Sequence, residues 1–177
     1  MNRIAVFDMH GIIFSFDKNI SKSGNLLDEA IKKKGLADLD DIRRYLEFEF
    51  EIVREIIDKK NNDLGVYEIS NAIDVLVSFV SRGYKIVIVS TSKVETTKVV
   101  LEYLFRQKKI DCNIIDSFEI FNSAIYGEKD DYLTWKEIFS NYSFIEVIYE
   151  DNKKYLNEAL RAANELDFES RGYTRIE

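Results

Sequence analysis

Three short runs in this 177-residue chain are apolar almost without interruption, and each closes on a polar residue: Arg3 to Asp8, Lys85 to Ser90 and Ile145 to Glu150. A strand exposed on one face alternates apolar with polar, so an unbroken run such as Ile86-Val87-Ile88-Val89 must be buried on both faces. Parallel sheets covered by helices on both sides make that demand. The runs therefore predict a doubly wound, mainly parallel, Rossmann-like α/β sheet. Asn113 to Ser117 is a weaker fourth strand candidate.

Segments of helical period lie between the runs. Ile69, Ile73, Leu76 and Val80 recur at steps of four, three and four, and Gly83 stands where a left-handed cap would stop the helix. Ser92-Lys93-Val94-Glu95 has the form of a capping box, followed by the stripe Val94, Thr97, Leu101 and Leu104. Asn152 is placed to cap a last helix whose inner face is Leu156, Ala159, Leu160 and Ala163. The alternation breaks between about residues 15 and 64, where two helical patterns occur and no convincing strand. Leu26, Leu27, Ala30 and Ile31 mark the shorter helix, ending near Gly35, and Ile42, Tyr45, Leu46, Val53, Ile56 and Ile57 the longer. The division expected is a core of residues 1–14 and 65–177 with a helical insertion at 15–64.

Composition narrows the classes of partner. A formal net charge of -7 opposes broad binding to nucleic acid or acidic membranes. No apolar run approaches the roughly 20 residues of a bilayer span. One cysteine, Cys112, permits no internal disulfide, and with no apolar stretch ahead of Asp8 long enough for a signal peptide, a reducing cytoplasm is the expected compartment. Oligomeric state is left open.

Ligands of doubly wound sheets bind beyond the carboxyl ends of the strands. Those ends carry Phe7-Asp8-Met9-His10-Gly11, Val89-Ser90-Thr91-Ser92 and Tyr149-Glu150-Asp151-Asn152, and Gly127-Glu128-Lys129-Asp130 opens a helix at Leu133 to Phe139. Each alone has a plain reading as a turn, a solvated lysine or acids at a helix start. Their order and common rim set them apart. In that order they resemble the four motifs of the haloacid dehalogenase superfamily, a resemblance covering nearly the whole chain.

The resemblance implies Asp8 as nucleophile, Ser90 with Thr91 as phosphate ligands, and Lys129 as a catalytic and phosphate-neutralising cation. It also implies Mg²⁺ held by Asp8, Glu150, Asp151 and the main-chain carbonyl of His10, and makes segment 15–64 a helical cap. The activity implied is a phosphatase or phosphotransferase acting on a small phosphorylated metabolite. Such chemistry needs cations, because an anionic carboxylate attacks a phosphate dianion only where their charges are offset.

The departure is His10, the only histidine, standing where the family's phosphatases carry a second Asp that moves protons. His10 replaces that acid, or marks its loss, or belongs to a site that binds phosphate or metal without turnover. Dehalogenases of the superfamily use no metal, so the Glu150-Asp151 pair argues against them. A phosphonate hydrolase would need a cap lysine, for which Lys18, Lys22, Lys32, Lys33 and Lys34 are candidates; Lys32-Lys33-Lys34 also fits a plain helix C-terminus. Of the cap aromatics Tyr45, Phe48 and Phe50, Phe48 is the one expected to face substrate, since it lies off the apolar stripe. Trp135 is expected to pack between helix and sheet beside Lys129.

Overall fold

The structure is a computed structural model that describes residues 3–177. Five parallel strands form the sheet: β1 (Arg3–Phe7), β4 (Tyr84–Ser90), β5 (Glu119–Asn122), β6 (Val147–Tyr149) and β7 (Arg171–Tyr173), in spatial order β5-β4-β1-β6-β7. Chain order thus runs outward from β1 to one edge and then restarts on its other side at β6. That reversal opens the crevice in which a doubly wound sheet binds ligands.

The unbroken apolar runs are explained by two cores. Ala5, Phe7, Ile86 and Ile88 point to one face, and Ile4, Val6, Val87 and Val89 to the other. Helices α3 (Ala72–Ser81) and α4 (Val94–Gln107) cover the first, and α5 (Tyr132–Phe139) and α6 (Lys153–Glu165) the second. Burying each of these Val, Ile and Phe side chains contributes about 1.5–3 kcal/mol, so neither face of these strands tolerates a charge. Gly83 has φ +81° after α3, and the Asn152 side chain accepts the Lys154 and Tyr155 N–H groups at the start of α6.

The segment after β1 forms α1 (Ile20–Lys33) and α2 (Ile42–Ile57), framed by a two-stranded antiparallel ribbon of β2 (Phe14–Ser15) and β3 (Tyr67–Glu68). Leu27, Ile31, Ile52 and Val53 of these helices join the hydrophobic cluster on the α3/α4 side of the sheet. The pair is therefore fixed to the sheet by shared apolar contact.

Two expectations fail here. Residues 112–117 form a 3₁₀ turn, because Asp111 accepts the Asn113 N–H and starts a local turn, and only Ile115 of the segment is buried. The strand follows at Glu119–Asn122, beside β4. The Ser92 capping box does not form either. Lys93 occupies the N-cap of α4 without a side-chain bond, because the Ser92 hydroxyl is drawn away to Glu49 of α2. Among the described residues no helix is long and apolar enough to cross a membrane.

Candidate active site

Asp8 follows β1 directly, and its N–H donates to the Tyr149 carbonyl (2.8 Å), locking it to β6. The chain then turns tightly: the Ile13 N–H donates to the Met9 carbonyl (2.8 Å) and the Gly11 N–H to the Phe14 carbonyl (2.9 Å). Gly11 has φ +88°, and a Cβ there would overlap the Asp151 carboxylate. Only glycine lets this loop lie against Asp151.

Lys129 comes to the same place from the loop before α5. Its ammonium donates to Asp8 Oδ1 (2.9 Å) and Glu150 Oε2 (2.5 Å). All three residues are at most 8% exposed. The Trp135 indole N–H donates to the Lys129 carbonyl (2.8 Å), and the ammonium lies 5.4 Å from the Trp135 ring and 5.8 Å from Tyr155. Trp135 thus packs in the α5/α6 core, as expected, and positions the lysine as well. The Asn152 N–H donates to Glu150 Oε1 (3.1 Å), orienting that carboxylate from the start of α6. Ser90 ends β4, 3% exposed, its Oγ accepting the Ser92 N–H (3.1 Å), while Thr91 stands exposed at the rim.

Burial lowers the Lys129 pKa, but Asp8 and Glu150 outweigh it, and the net shift is upward. Burial and then the negative charge of Asp8 push both Glu150 and Asp151 up. One lysine against three clustered carboxylates leaves negative charge uncompensated. One oxygen from each of Asp8, Glu150 and Asp151 lies within 4.8 Å of the others. This set of hard oxygen donors, short of positive charge, fits Mg²⁺.

His10 sits beside these acids, but its side chain turns toward α1. Its Nε2 shares a 2.6 Å hydrogen bond with Ser23 Oγ, which also accepts the Phe16 N–H (2.7 Å). Burial lowers the imidazole pKa against the opposing pull of Asp8 and Asp151, favouring the neutral ring at pH 7.

These groups line a cleft of about 300 Å³, with sheet ends on one side and α1 and α2 on the other. The helical side contributes Gly24, Leu27, Tyr45 and Glu49, together with Phe16 from the entering chain. Tyr45 rather than Phe48 reaches the cleft, although both pack partly against the hydrophobic core. The Tyr45 hydroxyl donates to Asp28 (3.0 Å). Sequence reading missed Glu49 and Ser23. Each interrupts an otherwise apolar stripe, Glu49 between Leu46 and Ile52–Val53, and Ser23 ahead of Leu27 and Ile31; a polar residue on a buried stripe is the signal that could have found them.

None of Lys18, Lys22, Lys32, Lys33 or Lys34 lines this cleft. Lys22, Lys33 and Lys34 border a separate groove of about 630 Å³ that holds none of the motif residues, and Lys34 pairs there with Glu55 (2.6 Å).

No family model matches the sequence, and no curated protein matches it. Solved structures do. A hydrolase from Pseudomonas syringae superposes with a TM-score of 0.58 at 13% identity, over 97% of this chain and 82% of that one. The HAD domain of an effector protein from Legionella pneumophila gives 0.55 at 19% identity, over 98% and 86%. A HAD-family enzyme from Bacteroides thetaiotaomicron, in complex with magnesium and inorganic phosphate, gives 0.53 at 15% identity, over 97% and 94%. With its parallel sheet, its reversal at β1 and its acids at the strand ends, the chain has the fold of the haloacid dehalogenase superfamily of hydrolases.

Proposed function

We propose that the protein is a magnesium-dependent phosphatase or phosphotransferase of this superfamily, hydrolysing a small phosphorylated metabolite through an aspartyl-phosphate on Asp8, with α1 and α2 as its cap. The observation that carries this reading is the buried Lys129 ammonium bonded to both Asp8 and Glu150 at the carboxyl ends of β1 and β6. Lys129 holds one oxygen of Asp8 and leaves the other to attack phosphorus. The ester P–O bond breaks and the leaving oxygen takes up a proton. Water then attacks the phosphorus of the aspartyl-phosphate, releasing inorganic phosphate and restoring Asp8. The Ser90 hydroxyl, the Thr91 hydroxyl at the rim and the Lys129 ammonium hold phosphate oxygens where charge accumulates. Asp8, Glu150, Asp151 and the His10 carbonyl would hold Mg²⁺, which would supply the positive charge that lets a carboxylate approach a phosphate.

One observation favours a second reading, in which the site binds phosphate or metal without turnover. His10 Nε2 is already committed to Ser23, which takes that ring nitrogen out of proton transfer. The phosphonate-hydrolase reading loses support, since no candidate cap lysine lines the cleft.

Rapid-mixing hydrolysis of p-nitrophenyl phosphate with Mg²⁺ separates these readings, because that leaving group departs with little protonation. Continuous turnover, abolished by EDTA and by Asp8→Asn, is the expected result. A stoichiometric burst that stalls would make His10 a lost base. Hydrolysis unaffected by Asp8→Asn would remove the nucleophile assignment, and no release at all would favour the binding role.

A further inference from the structure

Glu49 is a carboxylic acid on the cap side of the cleft that phosphoryl transfer at Asp8 leaves without a task. It is 5% exposed and lies on the buried stripe of α2. Among the described residues its one hydrogen-bond partner is the Ser92 hydroxyl (2.7 Å), and no cation pairs with it. The nearby Lys93 ammonium is taken by Glu47. Its other neighbours on the cap side of the cleft are Phe16, Leu27, Gly24 and the Tyr45 ring, with no cationic side chain among them. A buried acid facing an open cleft with one donor has unused acceptor capacity, and burying such a group without compensation is unfavourable.

Resting on the phosphatase reading above, we infer that Glu49 is a specificity residue that accepts a hydroxyl or ammonium group of the leaving alcohol and rejects esters carrying a second acid. The substrates are then small polyol or amino-alcohol phosphates. The phosphate end lies among Lys129, Ser90 and the carboxylates of the sheet side, so the alcohol end lies toward the helices. There a substrate carboxylate would meet Glu49 with no cation to separate them, and like charges placed together are the usual means of excluding a wrong ligand. A cleft of about 300 Å³ suits a small alcohol.

The proton on Glu49 tunes this selection. Burial raises its pKa to about 7, against the lowering effect of the Ser92 hydroxyl. The groups facing it are Tyr45 on its own helix, Asp28 of α1 behind Tyr45, and Ser92 with Lys93 ahead of α4; across the cleft are Asp8, His10, Lys129, Glu150 and Asp151, and Tyr155 of α6. Below pH 7 Glu49 both donates and accepts, which suits a polyol. Above pH 7 it is an anion, which suits an ammonium and repels a carboxylate.

The test compares ethanolamine phosphate, glycerol 3-phosphate and phosphoglycolate by kcat/KM and by titration calorimetry, with Mg²⁺, on the wild type and Glu49→Gln. At pH 8 the wild type is expected to favour the first two over phosphoglycolate by at least about 10-fold, and Glu49→Gln to erase that preference. The ratio of ethanolamine phosphate to phosphoglycolate should also rise by about 10-fold in the wild type from pH 6 to pH 8, a measurement that needs no variant. Preference for phosphoglycolate, a ratio unchanged in Glu49→Gln, or a ratio flat with pH would each overturn the inference. Parallel hydrolysis of p-nitrophenyl phosphate reports on Asp8 separately. Ordered binding without nitrophenyl turnover breaks the catalytic reading and keeps this one, and turnover without ordered binding does the reverse.

Discussion

Lys129 on the sheet side of the cleft and Glu49 on the helical side are equally buried at 5% exposure, yet Lys129 bonds two carboxylates and Glu49 a single hydroxyl. The lysine's charge is satisfied and its position fixed by Trp135 beneath it. The glutamate's charge is unsatisfied, and burial holds it partly protonated near neutrality. A satisfied buried charge builds a rigid reaction centre, and an unsatisfied one waits for a partner. The difference matches the proposed division, with chemistry at the strand ends and selection on the helices.

The comparison breaks hardest at Lys129. Replacing it with Met leaves Asp8 and Glu150 adjacent, buried and without their cation. Removing one partner of a buried ion pair costs about 3–5 kcal/mol. Thermal unfolding of Lys129→Met should therefore fall by about 10 °C for a chain of this size. An unchanged Tm would mean that the cluster is open to water and that its pairing does not organise the site.

Glu49 sharpens the comparison through pH. Its folded pKa of about 7 lies above the ordinary carboxylate value of 4.5. The native state therefore holds a proton that the unfolded chain gives up more readily. The stability this contributes is complete below pH 4.5, declines as pH rises and is gone once pH passes about 7. Relative to Glu49→Gln, the wild type should lose about 3 kcal/mol across that window. Urea unfolding of both proteins at pH 4.5, 6 and 8 measures it, and parallel curves would show Glu49 to be solvated.

How much of this was legible in the sequence divides along the same line. β1, β4 and β6 announced themselves because both faces of each are buried, and the polar residue closing each run, Asp8, Ser90 or Glu150, lines the candidate cleft. β5 did not, because it is only partly buried: Glu119 pairs with Lys85, and the Ile120 side chain is only half covered. β7, half-exposed at the sheet edge, carries no hydrophobic run at all. On the helical side the apolar stripes were visible, but which turn of which helix met the cleft depended on tertiary contact. Ser92 reads locally as a cap, and its capture by Glu49, 43 residues earlier, is a fact of packing alone.

The weakest expected effect tests whether the two sides are mechanically joined. Ser23 Oγ is one point of contact, wholly buried, bonding the half-buried His10 from the loop after β1 and accepting the Phe16 N–H, both within 2.7 Å. Ser23→Ala leaves the buried Phe16 N–H without its partner, at about 1–3 kcal/mol, and frees the His10 ring. If that bond holds α1 closed over Asp8, amide exchange should quicken in residues 16–33 and leave the β1 and β4 amides unchanged. Protection lost equally across the sheet would mean that Ser23 supports the core as a whole. No change in either place would mean that α1 is held by Leu27 and Ile31 alone, and that His10 bears no part in positioning the helix above the site.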